Sequence, residues 1–392
     1  MKDKIIFHID VNSAFLSWSA VEALKNGEEV DFREIPSIVG GDEDSRRGVV
    51  LAKSNSAKAF GVVTGESIFS ARRKCPQLKV ISPNFSVYEK YSKAMMELLS
   101  EYTPLLEQYS IDEGFLDVTN DLKAEPITMA EAIKDRIKSE LGFTVNIGIS
   151  NNKLLAKMAS EFRKPNAVNT LYPSEIREKM WPLPVSELFM VGKRATEKLN
   201  KIYIFTIGEL ANYNADLLKL KFKSYGEMIW EYANGIDASQ VESNAYEMKG
   251  ISNSTTVAQD IRDSEAAKRV LRYLSENLAV RLRETKKYCS SISVTIKSSD
   301  FKSYSHQRKL VNPTDSTRKI VDTVECLFEE VWKKEPIRLL GVSLTQLVEE
   351  GTHQISIFDA IQEDKERALD RTLDAIKNKF GEDSVKRAGR IK

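Results

Sequence analysis

Two short apolar runs that end in carboxylates constrain this chain more than any other feature. Residues 5–9 read Ile-Ile-Phe-His-Ile and lead into Asp10. Leu106 to Ile111 and Phe115 to Val118 flank Asp112-Glu113-Gly114. Runs of this length bounded by turn-formers read as buried strands. The first delivers Asp10 at its C-terminal end, and the second pair forms a hairpin with Asp112 and Glu113 at its tip. A carboxylate among apolar strands is costly unless something compensates its charge, and a divalent cation does so. Each site alone has an ordinary explanation, as a turn-former or as a cap for the next helix. Together they supply the three carboxylates that two Mg²⁺ ions need for phosphoryl transfer.

The rest of the pattern is mixed α/β. Asn12 to Lys25 reads as a helix, and Val30 to Lys53 as two strands around the polar turn Gly40-Gly41-Asp42-Glu43-Asp44. Ser54 to Ala59 reads as a short helix closed by Gly61. Tyr91, Met95, Leu98 and Leu99 recur at helical spacing within Ser86 to Tyr102. A helix from Met129 to Leu141, a strand from Phe143 to Ile149 and a helix from Asn152 to Phe162 follow. Leu171-Tyr172-Pro173 predicts a boundary, with short helices from there to Asn234-Gly235. Glu242 to Ser254 predicts a linker. Helices and alternating strands, such as Ser291 to Ile296 and Arg338 to Leu344, fill the segment to Leu347. Asp359 to Lys392 predicts a charged amphipathic helix.

At 392 residues the chain has room for roughly two to four domains. A net charge of +1 says nothing about partners, but residues 245–348 carry 18 Lys/Arg against 13 Asp/Glu. Within them, Lys286 to Leu310 holds six cations against Asp300 alone. That segment fits a surface touching a polyanion or a solvated face equally well. Cys75, Cys289 and Cys326 are far apart and form no CxxC, which argues against a disulfide framework or zinc site and for a cytoplasmic location. No apolar run is long enough for a signal peptide or a membrane span.

Three blocks in order carry a family resemblance. His-Ile-Asp-Val-Asn-Ser-Ala-Phe begins at His8, Ser-Ile-Asp-Glu-Gly-Phe-Leu-Asp-Val-Thr at Ser110, and Gly-Ile-Ser-Asn-Asn-Lys-Leu-Leu-Ala-Lys-Met-Ala-Ser-Glu-Phe-Arg-Lys-Pro-Asn at Gly148. They resemble the signature blocks of Y-family DNA polymerases, nearest to the bacterial polymerase IV type, over about Lys4 to Val348. The resemblance implies a right-hand polymerase: palm 1–18 and 77–171, fingers 19–76, thumb 172–240, little finger 245–348 and tail 349–392. It also implies metal ligation by Asp10, Asp112, Glu113 and the Val11 carbonyl. The activity implied is low-fidelity, translesion, template-directed DNA synthesis from deoxynucleoside triphosphates.

In that family Phe15 is a steric gate beneath the incoming sugar, and Lys164 resembles the lysine that reaches the triphosphate. Lys58 stands where an arginine is usual, Asn55 where a tyrosine is usual, and Ala52 where a hydroxyl residue is usual. Lysine replaces arginine only as a point charge, without bidentate geometry.

Residues 189–199 resemble a helix-hairpin-helix around Gly192 and Lys193, a motif that offers backbone amides to a phosphate. Lys297, Lys302, Arg308 and Lys309 lie on the sheet expected against DNA. Gln354-Ile355-Ser356-Ile357-Phe358 resembles the pentapeptide by which bacterial polymerases dock on the sliding clamp, with Gln354, Ile357 and Phe358 as anchors on a short extended segment. A monomer is expected.

Two other readings fit part of the pattern: a catalytically weak polymerase-like scaffold in a mutagenesis complex, kept open by Ala52 and Asn55, and a nucleotide cyclase. Gly40-Gly41-Asp42-Glu43 resembles the start of a diguanylate cyclase signature, but Asp44 follows it in a polar turn with no second matching block. A cyclase leaves the thumb, the basic segment and the clamp-like peptide without a purpose.

Overall fold

The computed structural model describes residues 4–41, 48–243, 248–349, 357–381 and 384–385, with backbone alone over 357–365. The described residues fall into two units, one ending at 243 and one starting at 248.

The first unit begins with β1 (Ile6–Val11), α1 (Ala14–Lys25), β2 (Ser37–Gly40), β3 (Val50–Lys53), α2 (Asn55–Ala59), α3 (Ile68–Lys74), β4 (Lys79–Ile81) and α4 (Phe85–Ser100). It continues through β5 (Leu106–Gln108), β6 (Glu113–Asp117), α5 (Pro126–Arg136), β7 (Val145–Ser150), α6 (Lys153–Ser160) and β8 (Val168–Thr170). Four helices close it: α7 (Lys193–Asn200), α8 (Ile207–Ala211), α9 (Ala215–Phe222) and α10 (Ser224–Ala233).

β1 is the central strand of a five-stranded sheet ordered β5-β6-β1-β7-β8. All six of its residues are buried, because both faces of the sheet are covered. On one face Phe7, Ile9 and Val11 pack with Trp18 of α1, Tyr88 of α4 and Ile133 of α5. On the other lies α6, started by Asn152, whose side chain accepts from the Leu155 amide at 2.8 Å. Gly148 on β7 lets this helix approach, since a Cβ there would fall 1.9 Å from the Ala156 carbonyl oxygen. A separate three-stranded sheet, β3-β2-β4, packs Ile38 and Val50 against Ile68 of α3.

The second unit comprises β9 (Gly250–Ile261), α11 (Ser264–Glu284), β10 (Lys287–Ser298), β11 (Ser303–Thr314), α12 (Thr317–Val331), β12 (Ile337–Glu349) and α13 (Ile357–Phe380). Its antiparallel sheet runs β11-β10-β12-β9. Leu271, Leu274, Leu278 and Leu282 line one side of α11, and with Ile320, Val324 and Phe328 of α12 they bury Ile292, Val294 and Ile296.

Some boundaries differ from expectation. The hairpin tip is 109–112, so Asp112 lies in the turn and Glu113 already opens β6. A π-helical turn, Ile137–Leu141, ends the helix expected to reach Leu141. The last five residues of the expected linker are strand, since β9 starts at Gly250. The tail helix starts at Ile357 and stops at Phe380. Ile357 and Phe358 therefore begin a helix rather than sit on an extended peptide, and Gln354 lies outside the described residues. Asp42 and Glu43 of the cyclase-like turn also lie outside them.

Candidate active site

Strand register creates the site. Asp10 stands directly opposite Glu113 across the β1–β6 pair, so both side chains leave the same face. The Val11 amide donates to the Asp112 carbonyl at 3.1 Å, pinning the hairpin tip beside the end of β1. Three carboxylates thus leave neighbouring backbone positions at one sheet end.

Each carboxylate is engaged by a protein group. Lys164 Nζ lies 2.6 Å from Asp10 Oδ2 and 2.9 Å from a Glu161 carboxylate oxygen. Lys157 Nζ lies 2.5 Å from Glu113 Oε2, and His8 Nε2 lies 3.4 Å from the same oxygen. Ser110 Oγ donates to Asp112 Oδ1 at 2.6 Å. Among the described residues, no three His, Cys, Asp or Glu side chains are gathered as a metal cluster. The backbone positions converge, and the side chains turn to their cationic and hydroxyl partners.

Burial tunes these groups. Asp10 is 8% exposed, and burial pushes its pKa up to about 6 against the opposing pull of Lys164. Burial also works to raise Glu113, but His8 and Lys157 override it and bring the carboxyl down to about 2. His8 is fully buried, which lowers its pKa to about 4 and leaves the ring neutral at pH 7. Its Nδ1 shares a 2.7 Å hydrogen bond with Ser160 Oγ of α6.

A cleft of about 820 Å³ opens beside Asp10 and Asp112. It is lined by Val11, Phe15, Ala52, Asn55, Lys58 and Lys164, which gathers the predicted nucleotide residues in one place. Phe15 stacks on Tyr88 at 4.6 Å between centroids and meets Phe85 edge-on at 6.1 Å. These rings hold it as a rigid wall. Lys53, Arg33 and Thr64 also line the cleft.

Four groups of the site were missed in the sequence. His8 precedes Asp10 by two residues, so strand alternation alone puts both on one face. Lys157 sits one helical turn after Lys153 on α6, inside the third quoted block. Arg33 is held by a fork to Asp31, which no spacing announces. Lys53 ends β3, an ordinary solvated position by sequence.

Elsewhere in the first unit, Gly192 caps α7 without any side-chain cap hydrogen bond, and a Cβ there would meet nothing within 4 Å. The approach to the amide end of this helix is open, with Lys193 and Arg194 exposed beside it.

In the second unit, pairing divides the predicted DNA contacts. Ser291 pairs with Lys309 and Lys297 with Ser303, on the face away from the helices. Ser293, Thr295, Ser343 and Thr345 share that face. Arg308 pairs with the buried Ile292 and so faces the helices, where its guanidinium lies 2.5 Å from Glu330 of α12. Lys302, in the β10–β11 turn, lies 2.8 Å from Asp300.

Comparison with known proteins settles the family. Residues 9–161 match the impB/mucB/samB family, and residues 248–357 match the C-terminal domain of that family. The chain is 57% identical over 386 residues to DNA polymerase IV of Clostridium acetobutylicum, covering 98% of each. The chain belongs to the Y-family DNA polymerases of the polymerase IV type. It is also 35% identical to DNA polymerase IV 1 of Bacillus subtilis, over 100% of this chain and 94% of that protein. A solved Y-family DNA polymerase chimera of Dbh and Dpo4 superposes with a TM-score of 0.78 at 22% identity, covering 88% of this chain and 100% of the chimera. The Y-family fold brings palm, fingers, thumb and little-finger domains. Nothing in these relatives supports the scaffold alternative.

Proposed function

We propose that this polymerase extends a DNA primer across intact and damaged template bases, with Asp10, Asp112, Glu113 and the Val11 carbonyl holding two Mg²⁺ ions. One observation carries this reading: the β1–β6 register that faces Asp10 with Glu113 and ties Val11 to Asp112. The donors are all hard oxygens, as Mg²⁺ requires. The lysines on Asp10 and Glu113 supply the neutralising charge that such a carboxylate pair needs. When bound, the ions would acidify a hydroxyl and steady phosphate oxygens. Y-family membership brings dependence on a divalent metal; the identity and number of ions are part of the proposal.

The protein's own groups do the positioning. Lys164, Lys58 and Asn55 receive the triphosphate in the cleft that Phe15 also lines. Phe15, braced by Tyr88 and Phe85, fills the space that a ribose 2′-hydroxyl needs. Lys157 and His8 hold Glu113 as an anion opposite Asp10.

The palm comprises 1–18 and 77–171, the fingers 19–76, the thumb 172–240, the little finger 245–348 and the tail 349–392. Gly192 and Lys193 take a backbone phosphate, and Lys297 and Lys309 take others from the open sheet face, with Lys302 at its turn. The protein works as a cytoplasmic monomer and docks on a sliding clamp through Gln354, Ile357 and Phe358. Among the described residues no helix is long and apolar enough to cross a membrane.

Primer extension tests the reading. Product should lengthen only with template, deoxynucleotides and Mg²⁺, and stop on chelation. Extension that persists after chelation would refute the metal site. Loss of clamp binding in an Ile357→Ala, Phe358→Ala double variant checks the docking segment, and unchanged binding would remove it.

A further inference from the structure

The triphosphate wall of the cleft lacks a side-chain hydrogen-bond donor at position 52, which is alanine, while the Asn55 amide at position 55 still donates. Ala52 is buried to 9% exposure and offers no polar side-chain atom. Lys53 enters the same cleft at the end of β3. Its ammonium lies 3.2 Å from Thr64 Oγ1 across the cleft wall.

The charge distribution around Lys53 is unusual. Lys164, in the same cleft, is paired with Asp10 and Glu161. Arg33 is paired with Asp31. Among the described residues, neither Lys53 nor Lys58 forms an ion pair with a carboxylate. Burial and then the neighbouring Lys58 lower the Lys53 pKa, so the two ammonium groups act on one another. Two like charges held together cost free energy that an anion between them recovers; Glu66 offsets this only in part, being itself bound to Lys74 at 2.7 Å. Ser54 fixes their geometry: its side chain caps α2 by accepting from the Ala57 amide at 3.0 Å and also accepts from the Ser37 amide at 3.1 Å. That locks the turn between Lys53 on the strand and Lys58 on the helix.

We propose that Lys53 is a nucleotide-binding residue of this polymerase, which grips the triphosphate together with Lys58 and makes up for the donor absent at position 52. The inference rests on the cleft being the nucleotide site. Lysines grip phosphate as point charges without a fixed fork. Uptake of nucleotide through this pair is therefore charge-driven and sensitive to salt and to competing polyphosphate.

The test uses the full chain on primed template DNA with Mg²⁺. Steady-state KM for one deoxynucleotide and kcat are measured for wild type, Lys53→Ala and Lys53→Arg. Inhibition by inorganic tripolyphosphate is measured alongside. Lys53→Ala should raise KM about tenfold, the loss of one charge-assisted contact, with kcat changed less than about twofold. Tripolyphosphate inhibition should weaken in parallel, and Lys53→Arg should restore KM to within about threefold of wild type. A merely structural role for Lys53 would lower kcat and the melting temperature and spare the tripolyphosphate constant; that result would overturn the assignment. An unchanged KM in Lys53→Ala would overturn it too, leaving the carboxylate site intact. Failure of wild type to extend the primer would instead overturn the underlying site reading, and the proposal with it.

Discussion

Lys164 Nζ sits 2.6 Å from Asp10 Oδ2, so the lysine proposed to meet the triphosphate is held against a proposed metal ligand. Asp10 is buried and Lys164 is 33% exposed at its side chain. Removing the cation strands a buried carboxylate. Lys164→Ala should lower the stability of the metal-free protein by about 1–2 kcal/mol, discounted for the exposure of the lysine. Added Mg²⁺ should raise the melting temperature of the variant more than that of wild type, because no ammonium has to be displaced. Equal Mg²⁺ responses would contradict this competition.

Phe15 is braced by two aromatic rings, which makes it a rigid wall rather than a yielding one. Phe15→Ala should cut discrimination against ribonucleotides by roughly 100-fold, the scale on which a shaped pocket rejects an added hydroxyl. The ratio of kcat/KM for a deoxynucleotide and its ribonucleotide reports it. An unchanged ratio assigns the ring to core packing.

Lys297 and Lys309 face away from the helices, while Arg308 is tied to Glu330. Neutralising Lys297 and Lys309 together should flatten the slope of log affinity for duplex DNA against log salt by about two. Arg308→Ala should leave that slope unchanged and instead loosen the contact with α12. A slope change from Arg308→Ala alone would reverse the assignment of the two faces.

The tail helix is bound to its own unit through Arg283. That guanidinium donates through Nε to Asp374 Oδ2 at 2.6 Å and through a terminal nitrogen to Asp374 Oδ1 at 2.9 Å, with Asp370 Oδ2 at 3.4 Å. Asp370 also accepts from the Thr317 amide at 2.9 Å. Arg283→Ala should destabilise the docked tail by about 3 kcal/mol, and Arg283→Lys less. Limited proteolysis within 366–380 should speed up; an unchanged cleavage rate would show that packing alone holds the helix.

The carboxylate end of the sheet was legible in the sequence because strand alternation and three blocks in fixed order are local signals. Asp10, Asp112 and Glu113 needed no knowledge of packing to be singled out. What surrounds them was not legible, since it depends on register and on helix approach. Lys157 reaches Glu113 because Gly148 lets α6 lie close, a consequence of one missing Cβ. Arg308 and Lys309 are adjacent in sequence yet on opposite faces, so a basic run could not show which cation is free. The strand beginning at Gly250 reads as linker because Gly250–Ile261 is a polar edge strand with two buried residues and a weak apolar pattern.

The central claim is that Asp112 belongs to a metal site that drives template-directed synthesis. The most direct measurement compares primer extension by wild type and Asp112→Ala, with DNA binding measured on the same samples. Template-dependent extension by wild type, abolished in the variant while DNA binding persists, is the predicted result. Extension by Asp112→Ala at the wild-type rate would contradict the account.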